Sequence, residues 1–337
     1  MEDRYEEIFE QYSFEVYGKS RVRGGSLLDT DDGCKIIKET GTSAGRLMWE
    51  HMIKSRLVKE GFKHVDSFCL NKDGNISSIA SNGIRYVIRD WYTGNECNIR
   101  DKNEIRLAAE NMAAMHDCLK CVETNEGTTY AGGQDVIASF RKHNAELRHI
   151  RKYLKGRKEK NRYELELLKA FPEYCDNAEK VLAWLEGSNL QGMWAGAVAG
   201  KDVMHGSYTY HNIIMCDNYV ATTVFEKCSY GLQLMDLYYF LRKVMEKNEW
   251  DGEYGNAVLI GYRSVIELSE EERRVLAMLL LYPEKFWKLA SCYMNSKKTW
   301  ISAKNMEKLN MLCIQKENRE KFVKSELLKE SLNFDIM

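Results

Sequence analysis

His205-Gly206-Ser207-Tyr208-Thr209-Tyr210-His211-Asn212 decides how the rest of this chain is read. Phosphoryl transfer uses a loop in which a carboxylate takes the acceptor's hydroxyl proton and an asparagine five residues later holds a metal ion. Asn212 stands at the second of these positions and Ser207 at the first. A serine hydroxyl is not basic near neutral pH, so the loop has the spacing of the reaction without its base. His205 and Gly206 are expected to frame the loop, the imidazole holding backbone by hydrogen bonds. A second metal carboxylate belongs on a strand just after Asn212. The matching stretch is Val220-Ala-Thr-Thr-Val-Phe-Glu-Lys227, which puts Val224 at that carboxylate. Mg²⁺ wants oxygen ligands and valine has none. Glu226 shares a strand face with Val224, so a displaced metal site through Asn212 and Glu226 is a further expectation. Asp236, in Leu234-Met-Asp-Leu237, reads equally well as a buried acid bracing the loop and as a plain helix-terminal acid.

Upstream of the loop the pattern is strands, one helix, then strands. Arg21 to Asp29 and Cys34 to Thr40 read as two strands, joined through Thr30-Asp31-Asp32-Gly33, whose Asp-Gly step suits a tight hairpin. A helix follows, capped by Thr42 or Ser43. Trp49, Met52, Ile53 and Leu57 lie on one face, and Gly61 ends it. Val65 to Leu70 and Ile84 to Trp91 read as two more strands. Beyond Trp91 a polar connector, Tyr92 to Arg100, leads into helical periodicity. Helices are expected at about 103–119, 134–153, 172–186, 233–247, 254–267, 270–282, 283–295 and 302–324. The reading is an α+β chain with a small β-rich N-lobe over 1–91 and a large, mainly helical C-lobe over 92–337.

Two further parts of a phosphate site have candidates. Gly24-Gly25 would let backbone amides approach an anion, though hairpins use glycine too. Lys38, opposite Ile37 in Lys35-Ile-Ile-Lys38, is a strand lysine that reads as a phosphate ligand or as an exposed edge residue. The only acid inside the following helix is Glu50, beside Trp49. No GxGxxG or Walker sequence occurs, which argues against Rossmann and P-loop chemistry.

Composition narrows the alternatives. The 337 residues are 44% hydrophobic and 29% charged, with a formal net charge of -1, so no global field favours nucleic acid or an anionic membrane. The first fifteen residues lack the basic start and apolar core of a signal peptide. No apolar run approaches the roughly 20 residues of a membrane span. Ten scattered cysteines suit a reducing compartment, and Cys118-Leu-Lys-Cys121 lacks the second ligand pair of a zinc site. Between Arg141 and Arg162, ten Lys and Arg stand against two Glu. That cluster reads as a solvated helix face or as a docking patch for an acidic partner. Its aromatics are too sparse for a nucleic-acid groove.

Four stretches, from residue 21 to 38, 86 to 116, 205 to 247 and 282 to 322, together resemble the CotS-type spore coat proteins of endospore-forming bacteria. These are similar in turn to aminoglycoside and choline phosphotransferases. The resemblance implies a two-lobed, protein-kinase-like fold. It makes Lys38 the strand lysine, Trp91, Gly94 and Glu96 a hinge signature, His205, Gly206 and Asn212 the catalytic loop, and Asp236 the bracing acid. Met52 is the nearest counterpart of the helix carboxylate that should pair with the lysine. The family's cofactors would be ATP and Mg²⁺, against which Ser207 and Val224 stand as departures. The implied role is a non-catalytic, kinase-shaped protein of the coat. It would be made in the mother-cell cytoplasm, would partner other coat proteins, and would neither bind nucleic acid nor enter a membrane. Two other readings stay open: a small-molecule phosphotransferase using Glu226 for its metal, and a regulator that binds nucleotide or sugar without turnover.

Overall fold

A computed structural model describes residues 5–22, 24–123, 130, 135–296 and 303–328. The chain forms two compact units. The first comprises 1–132, 197–240 and 258–266, and the second 133–196, 241–257 and 267–337.

The first unit opens with a short helix, α1 (Glu6–Phe9), and an antiparallel sheet made of β1 (Val16–Val22), β2 (Gly25–Thr30), β3 (Gly33–Glu39), β4 (Ser77–Ile79) and β5 (Arg85–Asp90). The strand order is β1-β2-β3-β5-β4. The Asp31-Asp32 turn closes the β2–β3 hairpin, with Thr30 paired to Gly33, which starts β3 at φ +89°. Upstream the structure corrects the reading: Arg21 to Asp29 is not one strand. It breaks after Val22 and restarts at Gly25. β1 escaped notice because it is an edge strand whose side chains are mostly exposed, so no alternation marks it. Gly24 makes the turn at φ +79°.

Alternation along the strands covers both faces of the sheet. Leu28, Ile37, Tyr86 and Ile88 pack under Tyr5, Ile8 and Tyr12 of the N-terminal segment. Val87 faces the other way, against Leu47, Phe68 and Ile76. Leu47 belongs to α2 (Ala44–Lys59), whose first turn is capped by Ser43, the side chain accepting from the Arg46 amide. Because β3 and β5 pair with Lys38 opposite Val87 and Ile36 opposite Arg89, all four residues share the face that looks toward α2. The expected strand at Val65–Leu70 is a second correction. The segment makes only single bridges, Val65 to Thr222 and Phe68 to Arg89.

The expected polar connector after Trp91 contains β6 (Asn95–Glu96), which is followed by α3 (Lys102–Cys118), with Ile105, Ala108, Met112, Met115 and His116 buried. α4 (Val136–Gly156) and α5 (Arg162–Gly187) come next. α5 starts well before the expected position, because Asn161 and Glu164 form a capping box there. Pro172 therefore lies inside the helix. α6 (Leu190–Ala199), short and rich in small residues, was not legible. β7 (Val203–Met204), β8 (Ile213–Met215), β9 (Val220–Thr222) and β10 (Ser229–Tyr230) then form two small sheets, β10-β7 and β6-β8-β9. Helices α7 (Leu234–Lys247), α8 (Gly252–Arg263), α9 (Glu270–Leu281), α10 (Glu284–Asn295), α11 (Ala303–Ile314) and α12 (Lys316–Phe322) follow.

In the second unit α4 packs on α5, and α9 runs almost wholly buried from Val275 to Leu281. Tyr282 stacks on Phe140 at 3.5 Å and donates its hydroxyl to Asn144 Oδ1 at 2.7 Å, which gives the buried hydroxyl and the amide oxygen a partner each.

The two glycines at the β1–β2 turn differ in what they demand. A Cβ on Gly25 would lie 2.5 Å from the Ile37 carbonyl oxygen and 2.9 Å from Lys38 Cγ, whereas one on Gly24 would meet open space. Gly25→Ala is expected to destabilise by about 1–3 kcal/mol through overpacking. Gly24→Ala should cost about 1 kcal/mol, for the left-handed φ alone. Urea unfolding midpoints of the two variants check the order.

Candidate functional site

Two loops meet in the first unit. One joins β7 to β8 and carries His205 to Asn212. The other joins β9 to β10 and carries Thr223 to Cys228. The Thr223 amide donates to the Asn212 carbonyl at 2.8 Å, which ties them together. Asp236, at the start of α7 and buried, holds the first loop from below. Its Oδ2 accepts from the His205 amide at 2.6 Å and its Oδ1 from the Gly206 amide at 2.9 Å. His116 of α3 places Nε2 3.2 Å from the same Oδ2. Gly206 sits at φ +71°, and a Cβ there would be 2.5 Å from the Lys227 carbonyl oxygen, so glycine is required.

His205 is fully buried. Its Nδ1 accepts from the Ser207 amide at 3.1 Å, which leaves Nε2 to donate to the Thr223 carbonyl at 3.2 Å. The bond accepted at Nδ1 needs the neutral ring. Burial pushes its pKa down to about 4 from the ordinary 6.5, against the pull of Asp236. The imidazole is a bracket between the two loops. Asn212 reaches back with Nδ2 to the Ser207 carbonyl at 2.8 Å and to its hydroxyl at 3.3 Å, so those two residues are in contact.

Val224 adopts φ +65°, a left-handed conformation that a β-branched side chain strongly disfavours. What holds it is Asp66. The Val224 amide donates to Asp66 Oδ2 at 3.1 Å. Asp66 itself is completely buried and sits between two cations, with Lys54 Nζ 2.9 Å from Oδ1 and Arg89 NH1 3.2 Å from Oδ2. Glu50 of α2, equally buried, joins the cluster at 2.7 Å from Lys54 and 3.3 Å from Arg89. Burial would raise the Asp66 pKa, but Lys54 and Arg89 hold it below the usual carboxylate range. Phe68 floors the cluster, its ring 4.5 Å from Lys54 Nζ and 4.6 Å from the Arg89 guanidinium.

Glu50, the acid of α2, is thus committed to Lys54 and Arg89 rather than to Lys38. Lys38 has no hydrogen-bond or ion-pair partner among the described residues. Its ammonium lies 5.6 Å over the Trp91 ring, half-buried beside Gly25. Burial and then the Arg89 charge lower its pKa. Glu226 is about half exposed, with Oε1 3.6 Å from Arg89 NH1, and its backbone carbonyl accepts from Arg46 of α2 at 2.7 Å. Among the described residues no group of three or more His, Cys, Asp or Glu is placed to hold a metal ion.

Sequence reading missed Lys54, Asp66 and Arg89. The i,i+4 pair Glu50–Lys54 beside Trp49, Ile53 and Leu57 in α2, and Arg89 within a strand buried on both faces, were the available signals. Asp66 gave none.

The fold is that of the aminoglycoside-phosphotransferase-like kinases, an N-terminal antiparallel sheet followed by a largely helical region. The crystal structure of the aminoglycoside phosphotransferase from Alicyclobacillus acidocaldarius matches with a TM-score of 0.84 at 17% identity, over 94% of this chain and 93% of that one. Spectinomycin phosphotransferase, solved with ADP and spectinomycin, matches with a TM-score of 0.56 at 10% identity, over 94% and 95%. Residues 5–326 match the family described as "Spore coat putative kinase YutH", and the chain belongs to that family. It is also 22% identical to spore coat protein S of Bacillus subtilis (strain 168), over 94% of this chain and 92% of that protein.

Two measurements check the geometry. Asp66→Asn leaves Lys54 and Arg89 short of charge in the interior and should cost about 3–5 kcal/mol. Glu226→Gln, at a half-exposed site, should cost less than about 1 kcal/mol. Denaturant unfolding of both variants reads this directly. His205 has a depressed folded pKa, so its contribution is fully present above 6.5 and is lost as pH falls through about 4. The loss amounts to roughly 3 kcal/mol. Unfolding free energy measured across that window should fall less steeply in His205→Gln than in the parent.

Proposed function

We propose that this member of the spore coat family is a kinase-shaped protein that does not transfer phosphate, and that it acts in the structure or assembly of the coat with other coat proteins as partners. The observation that carries this reading is the ion cluster around Asp66. A phosphotransferase keeps carboxylates free so that a metal ion can bridge them to a terminal phosphate. Here Glu50 and Asp66 are neutralised from within by Lys54 and Arg89, and Glu226 faces Arg89. Val224 offers no oxygen and Ser207 no base. This donor set does not fit Mg²⁺. A divalent ion brought to Glu226 would meet a guanidinium 3.6 Å away.

One observation favours a second reading. Glu226 retains an exposed carboxylate and Lys38 an uncommitted ammonium. Related folds include an amicoumacin kinase solved with AMP-PNP and Ca²⁺. A small-molecule phosphotransferase with its metal on Glu226 and Asn212 would use those groups.

Purified protein incubated with ATP, Mg²⁺ and a panel of aminoglycoside and amino-alcohol acceptors is expected to show no phosphoryl transfer above a no-enzyme control. Mg²⁺ should likewise add nothing to any ATP-induced thermal shift, although a ligand at about 100 times its Kd would stabilise by about 2.7 kcal/mol. Mg²⁺-dependent turnover that disappears in Glu226→Gln would establish the second reading in place of the first.

A further inference from the structure

The basic cluster at 141–162 plays no part in the site, and the structure gives it a definite form. α4 buries Phe140, Asn144, Leu147, Ile150 and Leu154. The opposite face carries Arg141, Lys142, Arg148, His149, Lys152 and Lys155, all exposed. At 100° per residue these six fall within about 140° of arc, centred opposite the buried stripe. Arg141 and Arg148 are answered by Glu186 and Glu179 of α5. Lys142, Lys152 and Lys155 have no ion-pair partner among the described residues. The only acid on the helix, Glu146, is engaged by the Trp287 indole at 2.7 Å. With ten cations against two acids in this one segment and a chain charge of -1, the rest of the molecule is correspondingly acidic.

A recess of about 390 Å³ in the first unit has the complementary chemistry. Asp31, Asp32 and Asp90 line it, with Phe14, Phe68 and Leu70 as apolar wall. Its one cation is Lys35, which shows what the recess accepts. That ammonium lies 5.3 Å over the Phe14 ring, 2.9 Å from Asp32 and 3.0 Å from Asp90. Three carboxylates against one ammonium leave the recess acidic, and Asp31 has no cation among the described residues. Asp31 and Asp32 are both exposed.

We propose that copies of this chain associate head to tail, the lysine face of α4 on one copy seated against the acidic, aromatic-walled recess of the next. Lys152 and Lys155, one helical turn apart, would lay their aliphatic stems on Phe14 and Leu70 and bring their ammonium groups to Asp31 and Asp32. The two patches differ, so the contact is heterologous: repeated from copy to copy, it builds a ring or an open array according to the rotation it imposes. The contact rests on the assembly role proposed above and names its occupant as a second copy. Most of its attraction is between exposed charges, so it weakens as salt shortens the screening length.

Sedimentation velocity on the full chain, at about 20 mM and about 0.5 M NaCl, reads the contact, since the screening length falls severalfold between them. Association is expected at low salt and monomer at high salt. Lys142→Glu/Lys152→Glu/Lys155→Glu should be monomeric at both, and so should Asp31→Asn/Asp32→Asn. Circular dichroism verifies that both variants fold, and the lysine variant changes only exposed positions. The deciding sample is a mixture of the two variants. Each keeps the half the other has lost, so the mixture should give a one-to-one complex and nothing larger. A parent protein monomeric at low salt, association untouched by either variant, or a mixture without complex overturns the proposal. So does a lysine face that binds added polyglutamate while the parent stays monomeric, which would assign the face to a different acidic protein. The same samples serve the turnover assay. A monomer without turnover removes this contact and leaves the non-catalytic reading standing, whereas an associating protein with Mg²⁺-dependent turnover does the reverse.

Discussion

A carboxylate buried without exposure survives only if something inside the protein neutralises it, and Asp66 is held on three sides. Lys54 comes from α2, Arg89 from β5 and the Val224 amide from the loop after β9. Remove that carboxylate and three separate elements lose the group that registers them. The placement of α2 over the sheet, the course of 65–70 and the posture of 223–228 all follow from it. Such clusters give less net stability than an apolar core of the same volume, but they punish misalignment heavily. Arg46, which donates to the Glu226 and Cys228 carbonyls, and Trp49, whose indole donates to the Cys228 carbonyl at 2.9 Å, extend the same clamp along α2.

The second fixed point is Asp236. It gathers two consecutive amides and a histidine at the foot of the loop, while His205 bridges that loop to Thr223. Around Asp236 and His205 the loop is held by protein groups that hydrogen-bond one another. In the ion cluster Glu50 Oε1, Asp66 Oδ1 and Arg89 Nε are buried and make no hydrogen bond among the described residues, so charge pairing alone answers them.

Much of the fold was legible because its signals are local. The Asp-Gly step at Asp32-Gly33, the Ser43 cap and Gly61 mark boundaries within a few residues of themselves, and the 3.6-residue stripe of α3 is strong. The loop at 205–212 stood out because its spacing is fixed within eight residues. The ion cluster did not, since its members lie at 50, 54, 66, 89 and 226 and only the folded backbone brings them within 4 Å. β1 was hidden by exposure, α6 by its small residues, and the true start of α5 by a capping box ahead of a proline that drew attention away from it.

Val224 keeps a left-handed backbone that its own side chain resists. Glycine, asparagine or aspartate would take that conformation far more readily. The main chain here suits a side chain other than the one it carries. Likeness between Cα traces, even at a TM-score of 0.84, registers the course of the backbone and not the atoms that would bind or react.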